Sequence, residues 1–557
     1  MGRFSSQARG RRFLRWGILA GVVVLLTQLS AATSQAQAPK GAAFNPASDE
    51  RVRFIDEKIA EQWKANKITP SREVTDYEFI RRASLDIIGR IATIEEIDRF
   101  MKDPPQYRRA LLVERLLASN DYNKYWSQIW ATWLLTRSGN RFNYEQMRAW
   151  LESQLAKDVP YNQMVTELLS TTGETEKNGA SFFILSHLGE PIPAAKSREE
   201  GQFDMVPITS RSIRLFLGYQ IQCTQCHDHP FNPEWGQKHF WGINAFFRQA
   251  RRDGVPLPAK LQAKTPVADK LGLRDDVGLN SDGIVYYERR NGVILPTKPK
   301  FLDGTDIPKD AKNSRREILA NKIVNHDNFG KAFVNRMWGH FFGRGLNEQP
   351  AVDDFGEHNQ LVHPELLDKL ADEFIGSGGQ DPKNLIRWIC NSKPYQLSTV
   401  ANPTNDSQDA EVFFSRMLLK SMSPEQLYDS LMAATGQKGE DREAFLRSLI
   451  INFGDDEGNE ATFNGTVVQA LMLMNGREIN DVVMSNGGTV TKAVAKKQPK
   501  LIMDHLFLAT LNRPSSPKEF AEISQKFRMR IPDRNPNAAW QDLFWALLNS
   551  NEFFLNH

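Results

Sequence analysis

Apolar residues recur at helical spacing through most of this chain of 557 residues. Phe54, Ile55, Ile59 and Trp63 lie along one face of a predicted helix, and similar patterns continue far along the chain. The further patterns cover residues 108–118, 210–222, 238–247, 318–325, 331–342, 364–375, 385–390, 424–434 and 540–547. This pattern predicts a mainly α protein.

Three short sequences indicate where helices begin. Residues 75–78, 93–96 and 314–317 each place Ser or Thr three positions before Glu. Such a pair forms a capping box, because the hydroxyl and the carboxylate bond to backbone N–H groups of the first turn. After the second box, Trp126, Trp130 and Trp133 repeat at helical spacing. We predict that they pack in the core rather than line a cofactor pocket.

The pattern changes between residues 251 and 312, which are rich in proline and glycine. Two β-rich runs, 284–287 and 293–295, flank Asn291-Gly292, a strong signal for a type I′ hairpin turn. We therefore predict two helical domains, residues 51–250 and 313–557, joined by a small connector, residues 251–312, that contains a β-hairpin.

The N-terminal residues 1–38 have the features of a secretory signal peptide. Several arginines precede an apolar run from Trp16 to Leu29, and Ala36-Gln37-Ala38 is a small-x-small cleavage signal. The alternative is an uncleaved N-terminal anchor. Residues 39–50 are a polar linker, and no second apolar stretch is long enough to span a membrane. We expect an exported protein, periplasmic or at the cell surface, with no transmembrane span in the mature chain.

Charge and cysteine content narrow the possibilities. The chain has 70 basic and 67 acidic residues, a net charge of +3, which gives no global electrostatic reason to bind nucleic acid. It has three cysteines, too few for a disulfide framework. Two of them, Cys223 and Cys226, are close together, which suggests a specific role for the pair.

Cys223, Cys226 and His227 form the sequence Cys-x-x-Cys-His, the attachment signal for c-type haem. Two thiols one turn apart can reach the two vinyl groups of one porphyrin, and the adjacent histidine can then bind the iron. Covalent attachment takes place outside the cytoplasm, which agrees with the predicted export. The sixth iron ligand stays open among His229, His239, His340 and Met337.

The two cysteines have two alternative roles. Cys223 and Cys226 can form a disulfide in an export compartment. They can also form a zinc site with His229 and His239, since two sulfurs and two nitrogens are a ligand set that zinc accepts.

A second candidate site lies in the predicted second domain. Asp353, Asp354, His358 and His363 offer oxygen and nitrogen ligands for a divalent cation. The alternative is structural: the aspartates cap the next element, and His363 stands at a helix start before Pro364. The chain has no nucleophile elbow, Walker loop or dinucleotide fingerprint, so whether it is an enzyme stays open.

Long motifs give the chain a family resemblance. The first half contains Arg81-Arg82-x-x-Leu85-Asp86-x-x-Gly89, Gln222-Cys223-x-x-Cys226-His227-Asp228-His229-Pro230-Phe231 and Ala245-Phe246-Phe247. The second half contains Val334-Asn335-Arg336-x-Trp338, Phe342-Gly343-Arg344-Gly345-Leu346, Asp353-Asp354-Phe355-Gly356, His363-Pro364-Glu365-Leu366-Leu367 and Leu547-Leu548-Asn549-Ser550-x-Glu552-Phe553. The chain thus resembles the planctomycete cytochrome-associated proteins, in which a cytochrome-like domain of unknown function (DUF1549) precedes a second one (DUF1553). The resemblance implies haem, although that family label rests on the same Cys-x-x-Cys-His.

Three functional hypotheses follow. The first is an exported haem c-binding protein held at Cys223, Cys226 and His227, with an electron-transfer or redox role toward an unknown partner or extracytoplasmic substrate. The second is a non-haem enzyme that binds zinc or iron through His227 and His229. Asp353, Asp354 or His363 would complete that site across the domains. The third is a structural or binding protein with a Cys223–Cys226 disulfide.

Overall fold

Helices form most of the fold in the computed structural model. The structure describes residues 44–136, 140–254, 271–307, 312–436, 442, 446, 488–528 and 537–557. The predicted signal peptide, residues 1–38, lies outside the described residues. No helix among the described residues has both the length and the apolar character needed to cross a membrane.

Eleven α-helices are described before residue 250. They are α1 (Glu50–Ala65), α2 (Asp76–Ile88), α3 (Ile94–Lys102), α4 (Arg108–Leu117), α5 (Asn120–Leu135), α6 (Arg141–Ala156), α7 (Tyr161–Ser170), α8 (Phe182–Leu185), α9 (Ser197–Glu200), α10 (Val206–Leu217) and α11 (Gln237–Phe247). The capping boxes predicted at Thr75 and Thr93 are confirmed at the starts of α2 and α3.

Ten more α-helices are described after residue 312. They are α12 (Arg315–Val324), α13 (Asn328–Phe342), α14 (Pro364–Ile375), α15 (Pro382–Asn391), α16 (Pro424–Thr435), α17 (Thr489–Val494), α18 (Pro499–Leu511), α19 (Pro517–Arg528), α20 (Ala538–Leu548) and α21 (Asn551–Phe554). Ser314 caps α12 with Glu317, as predicted. Short 3-10 helices cover Pro46–Ser48, Gly179–Ser181, Gln222–Gln225, Pro394–Gln396 and Gln408–Phe413. The mainly α prediction is confirmed.

The strands are short and form small antiparallel sheets. They are β1 (Gly173–Glu174), β2 (Ala250–Asp253), β3 (Gly272–Asp275), β4 (Val285–Glu288), β5 (Ile294–Thr297), β6 (Lys420–Ser421) and β7 (Leu555–Asn556). The first three form one sheet in the order β1-β3-β2, β4 pairs with β5, and β6 pairs with β7. Because β7 follows the last helix, the β6–β7 pair binds the end of the chain to residue 420.

The predicted hairpin is present, with Val285 opposite Thr297 and Glu288 opposite Ile294. Its turn differs from the predicted type I′. Arg289 donates to the carbonyl of Val293, Gly292 donates back to Arg289, and within this fully described loop only Gly292 has a positive φ, 77°. A type I′ turn needs a positive φ at both central residues, whereas a three-residue loop with a bulge needs it at one glycine only.

The hydrophobic core does not divide at the predicted connector. One cluster of buried side chains runs from Val52 to Met417, and α7 packs on α12 while α10 packs on α13. Trp126, Trp130 and Trp133 lie inside this cluster, which confirms their predicted core role. A second cluster contains Leu85, Ile91 and residues between 422 and 553. Residues Phe44–His557 therefore form one compact unit.

Helix α2 carries three buried charged residues that connect distant parts of the chain. Arg81 is fully buried and donates to the carbonyls of Thr510 (3.0 Å) and Phe553 (2.7 Å). Arg82 donates to the carbonyl of Leu397 at 2.8 Å. A buried guanidinium needs such acceptors, because an unpaired charge in the core is costly. The N-terminal helices are thus bonded to the last residues of the chain.

Asp86 completes this arrangement. Its carboxylate accepts from the Tyr395 hydroxyl at 2.8 Å, from Lys420 Nζ at 2.7 Å and from Asn556 Nδ2 at 2.7 Å. Lys420 also donates to the carbonyls of residues 340 and 341 at the end of α13. Burial lowers the pKa of the Lys420 ammonium and the nearby Asp86 opposes that shift, so this ion pair is strongly desolvated.

Replacing Asp86→Ala leaves the buried ammonium of Lys420 without its counter-charge. We expect the free energy of unfolding to fall by about 3–5 kcal/mol, measured by chemical denaturation. Lys177→Ala, which removes an exposed ion pair with Glu174, is the matched control and should cost less than about 1 kcal/mol. Equal losses in the free energy of unfolding would contradict the conclusion that the Asp86 network contributes strongly to stability.

Acid should destabilise the fold through buried neutral histidines. Burial against Trp126 lowers the pKa of His340 from 6.5 to about 4, and the nearby Lys420 ammonium adds to this shift. The carbonyl of Asp86, 3.2 Å from Nε2, opposes the shift only in part. The unfolded chain binds the proton near pH 6.5 and the folded chain only near pH 4. Stability is therefore retained above pH 6.5 and falls as the pH drops from 6.5 to 4, by up to about 3 kcal/mol for this residue.

The His340→Gln variant keeps an N–H donor but does not titrate. We expect its free energy of unfolding, measured against pH by denaturation, to fall less steeply between pH 6.5 and 4 than that of the parent protein. Identical slopes would mean that His340 does not carry this acid sensitivity.

Candidate functional site

The Cys-x-x-Cys-His sequence lies on a short 3-10 turn after α10. That helix ends at Gly218, whose φ is 70°, and Gln222–Gln225 form the turn. Cys223 is half-buried, Cys226 is exposed, and both thiols are free. Thr224 points inward between them, and its hydroxyl donates to the carbonyl of Ile221 at 2.6 Å. The turn therefore holds both cysteines at or near the surface.

Helix α11 fixes the position of this turn. The carbonyl of Gln225 accepts from Trp241 Nε1 at 3.1 Å and from Gln237 Nε2 at 3.3 Å. Gln237 is buried and also donates to the carbonyl of Glu288 at 2.9 Å. One amide thus connects the turn to strand β4 of the hairpin, so the cysteine spacing is held by the surrounding fold rather than by the turn alone.

His227 has one ring nitrogen engaged by the backbone. Its Nδ1 lies 2.7 Å from the carbonyl of Asp228, and this contact requires Nδ1 to carry the proton and donate. In the neutral ring, Nε2 then carries the lone pair. A histidine that ligates a metal commonly has this arrangement, with one nitrogen donating to a carbonyl and the other available to the metal.

His229 has a different role. Its Nδ1 accepts the backbone N–H groups of Asn232 (2.9 Å) and Phe231 (3.2 Å), and its own backbone N–H donates to Trp235. The carbonyl of Gln220 also bonds to its ring, and burial lowers its pKa. Nδ1 thus serves the backbone of the loop, so His229 shapes the loop in this structure.

The segment around residue 355 forms the back of the turn. The Phe355 backbone N–H donates to the carbonyl of Gly218 at 2.7 Å. A Cβ at Gly218 would stand 2.5 Å from the Phe355 ring, so this close approach, together with the positive φ, requires glycine. The cysteine turn is therefore seated on a loop from the other half of the chain.

The same loop brings Asp354 and His358 to the site. His358 Nε2 lies 2.9 Å from Asp354 Oδ2. The His358 ring is 5.7 Å from the ring of His229 and 5.4 Å from that of Phe231, centroid to centroid. The Asp354 charge also raises the pKa of the Cys223 thiol, although burial is the larger cause. An aspartate–histidine pair therefore stands beside the cysteine turn.

Asp353 and His363, the other predicted ligands, are held elsewhere. Asp353 is buried and accepts from Arg214 Nε at 2.7 Å and from Arg336 at 3.0 Å. His363 precedes α14, as the structural alternative predicts. Its Nε2 lies 2.8 Å from the carbonyl of Val412, and burial lowers its pKa to about 4. These contacts account for both residues without a metal.

Among the described residues, no group of three or more His, Cys, Asp or Glu side chains is placed to hold a metal ion. His239, a member of the predicted zinc set, accepts the backbone N–H of Gly236 at 3.0 Å. Of the possible sixth ligands, Met337 and His340 lie in the core. Within the described residues, donor groups of the two halves come close where Asp354 and His358 approach Cys223 and His229.

Two features of the site could not be found by sequence reasoning. Nothing in the local sequence connects Phe355 with Gly218, or Gln237 with Gln225. His358 is one of four candidate ligands, and its pairing with Asp354 four residues earlier is the one contact that spacing alone suggests.

Asp353→Asn should be strongly destabilising, because it removes the charge shared by two arginines, one of them almost completely buried. We expect a loss of about 3–5 kcal/mol in the free energy of unfolding. Removing metal ions with a chelator should not change the stability of the parent protein. A chelator effect that disappears in the variant would instead identify Asp353 as a metal ligand.

Comparison with known proteins places the chain in a family. Residues 54–252 match the family model described as a protein of unknown function (DUF1549), and residues 315–445 match the one described as a protein of unknown function (DUF1553). No curated protein and no solved structure matches. The chain therefore belongs to the two-domain family in which a DUF1549 segment is followed by a DUF1553 segment.

Proposed function

We propose that this protein is an exported c-type haem protein that transfers electrons to or from an extracytoplasmic partner. The observation that carries the proposal is the arrangement of Cys223, Cys226 and His227 on one surface turn. Both thiols are free, that of Cys226 is exposed, and His227 has Nδ1 engaged by a carbonyl. The predicted signal peptide supports export.

The residues of the turn fit the group. Cys223 and Cys226 would hold it through two thioether bonds, and His227 would bind its iron through Nε2. A haem bound there supplies one-electron redox chemistry. Helix α11 and the loop at Phe355 hold the backbone of this region through hydrogen bonds to the carbonyls of Gln225 and Gly218.

The surrounding residues would set the properties of the site. Gln237 and Trp241 keep the turn in place, and Phe355 supports it from below. Asp354 and His358 lie behind it and place one formal negative charge and one titratable ring close to the cysteines. Phe231 is exposed, and its ring lies beside that of His358. An apolar ring therefore stands at the surface next to this aspartate–histidine pair.

The other two hypotheses have less support. A non-haem metal site across the two halves would use Asp353, Asp354 or His363. Asp353 and His363 are each bound to another partner, and Asp354 pairs with His358. A Cys223–Cys226 disulfide is not formed in the structure. A disulfide does not account for a histidine with this ring orientation directly after the second cysteine.

The test is a pyridine haemochrome spectrum of protein exported from cells that contain the c-type maturation machinery. We expect a c-type spectrum that survives denaturation, and a mass increase of one haem per chain. Both should disappear in the Cys223→Ala/Cys226→Ala variant. Both should persist in Cys390→Ala, the matched control, which removes a thiol that lies entirely in the core.

Folded, exported protein without covalent haem would refute the proposal. Haem that remains in the double variant would refute the assignment of the two cysteines. Measuring haem after denaturation keeps the result independent of any loss of stability in the variants.

A further inference from the structure

A second cleft lies in the DUF1553 segment, apart from every residue of the cysteine turn. Its volume is about 630 Å³, within the range of about 300–1,000 Å³ of small-molecule sites. It is lined by residues of three stretches, 344–350, 360–362 and 408–413. The core does not fill this cleft, and the proposed haem site does not include it.

The walls of the cleft are held by hydrogen bonds. Glu348 donates its backbone N–H to the carbonyl of Gln360 at 2.8 Å, and Val362 donates to Leu346 at 2.9 Å. The third wall is the 3-10 helix Gln408–Phe413, which His363 contacts through the carbonyl of Val412. The cleft is thus formed before any ligand arrives, which lowers the entropic cost of binding.

The polar groups of the cleft are available to a ligand. Gln349, Gln360 and Gln408 present three amides, and Glu348 and Asp409 present two carboxylates; all five residues are exposed. Within the described residues, none of these five side chains has a hydrogen-bonding partner. Amides both donate and accept, and carboxylates accept, so together they match a ligand rich in hydroxyl groups.

The charge of the cleft argues against an anionic ligand. Its one cation among the described lining residues, Arg344, is only 6% exposed and donates to the carbonyl of Glu348 at 2.7 Å at the base of the cleft. The exposed formal charges are the two carboxylates, which repel anions. Leu361, Val362 and Phe413 add apolar surface to the lining, against which the C–H faces of a sugar ring can pack.

A cleft of about 600 Å³ near the end of the chain has a different character. Its charged groups are already paired with one another: Arg72 with Glu78, and Arg513 with Glu519 and Glu552. This pairing leaves few charged groups for a ligand, so the cleft at Arg344 is the better candidate.

We propose that the cleft at Arg344 binds a neutral carbohydrate, a short run of sugar residues held by the three amides and the two carboxylates. This site is independent of haem, and the protein can be tested with or without it.

Titration calorimetry of the full chain with neutral tetrasaccharides of glucose, mannose, galactose and xylose tests the proposal, with tetragalacturonate as an anionic probe of similar size. We expect at least one neutral probe to bind below about 10 mM and tetragalacturonate not to bind. Gln360→Ala/Gln408→Ala should weaken binding by about tenfold, through the loss of two hydrogen-bonding groups. Gln163→Ala, an exposed glutamine outside the cleft, should leave the affinity unchanged.

Three outcomes would overturn the proposal: no neutral probe binds up to about 10 mM, the anionic probe binds more tightly, or the double variant binds as well as the parent. Both glutamines are exposed, so the double variant should fold normally, and its thermal unfolding verifies this.

Discussion

The fold depends on charges that helix α2 carries into the protein interior. Arg81, Arg82 and Asp86 are each at most 1% exposed, and none of them can be left without a partner at that depth. Their partners come from residues 395–397, 420, 510 and 553–556. The buried charges of helix α2 therefore have all their hydrogen-bonding partners only when the last residues of the chain are in place. This dependence gives a physical reason why residues Phe44–His557 form one compact unit.

The buried carboxylate of Asp353 connects the two segments close to the cysteine turn. Asp353 joins Arg214 of α10 to Arg336 of α13, and α10 leads directly into the turn. The next residues, Asp354 and Phe355, reach the turn itself. A displacement of α13 would move Asp353 and with it the surface on which the cysteines rest. The candidate site thus belongs to both segments, and neither segment alone contains all of it.

The features whose causes are local could be predicted from the sequence. Capping boxes at Thr75, Thr93 and Ser314 depend on contacts between residues three apart, and all three are present. The hairpin was also predictable, but its turn type was wrong, because Asn291-Gly292 suits both a type I′ turn and a bulged loop. The choice between them depends on the register of the strands, and β4, in which Val285 and Tyr287 are buried, packs on α11. The partners of polar groups were not predictable in the same way. The sequence presents Asp353, Asp354, His358 and His363 as similar candidates. In the structure, arginines from distant helices bind Asp353, and a carbonyl contacts His363. Of the four, Asp354 and His358 reach the cysteine turn.

Burial separates the reactive groups of this protein from its structural ones. Cys390 is fully buried, and burial raises the pKa of its thiol well above the usual value, so it carries almost no thiolate. Desolvation lowers the pKa values of His187, His340 and His363 to about 4, so they stay neutral at ordinary pH. Cys226 is exposed and His227 is half-buried, and both lie on a turn held by neighbouring elements. A chain that carries so many polar groups in its core leaves this cysteine–histidine set at the surface, where solvent can reach it.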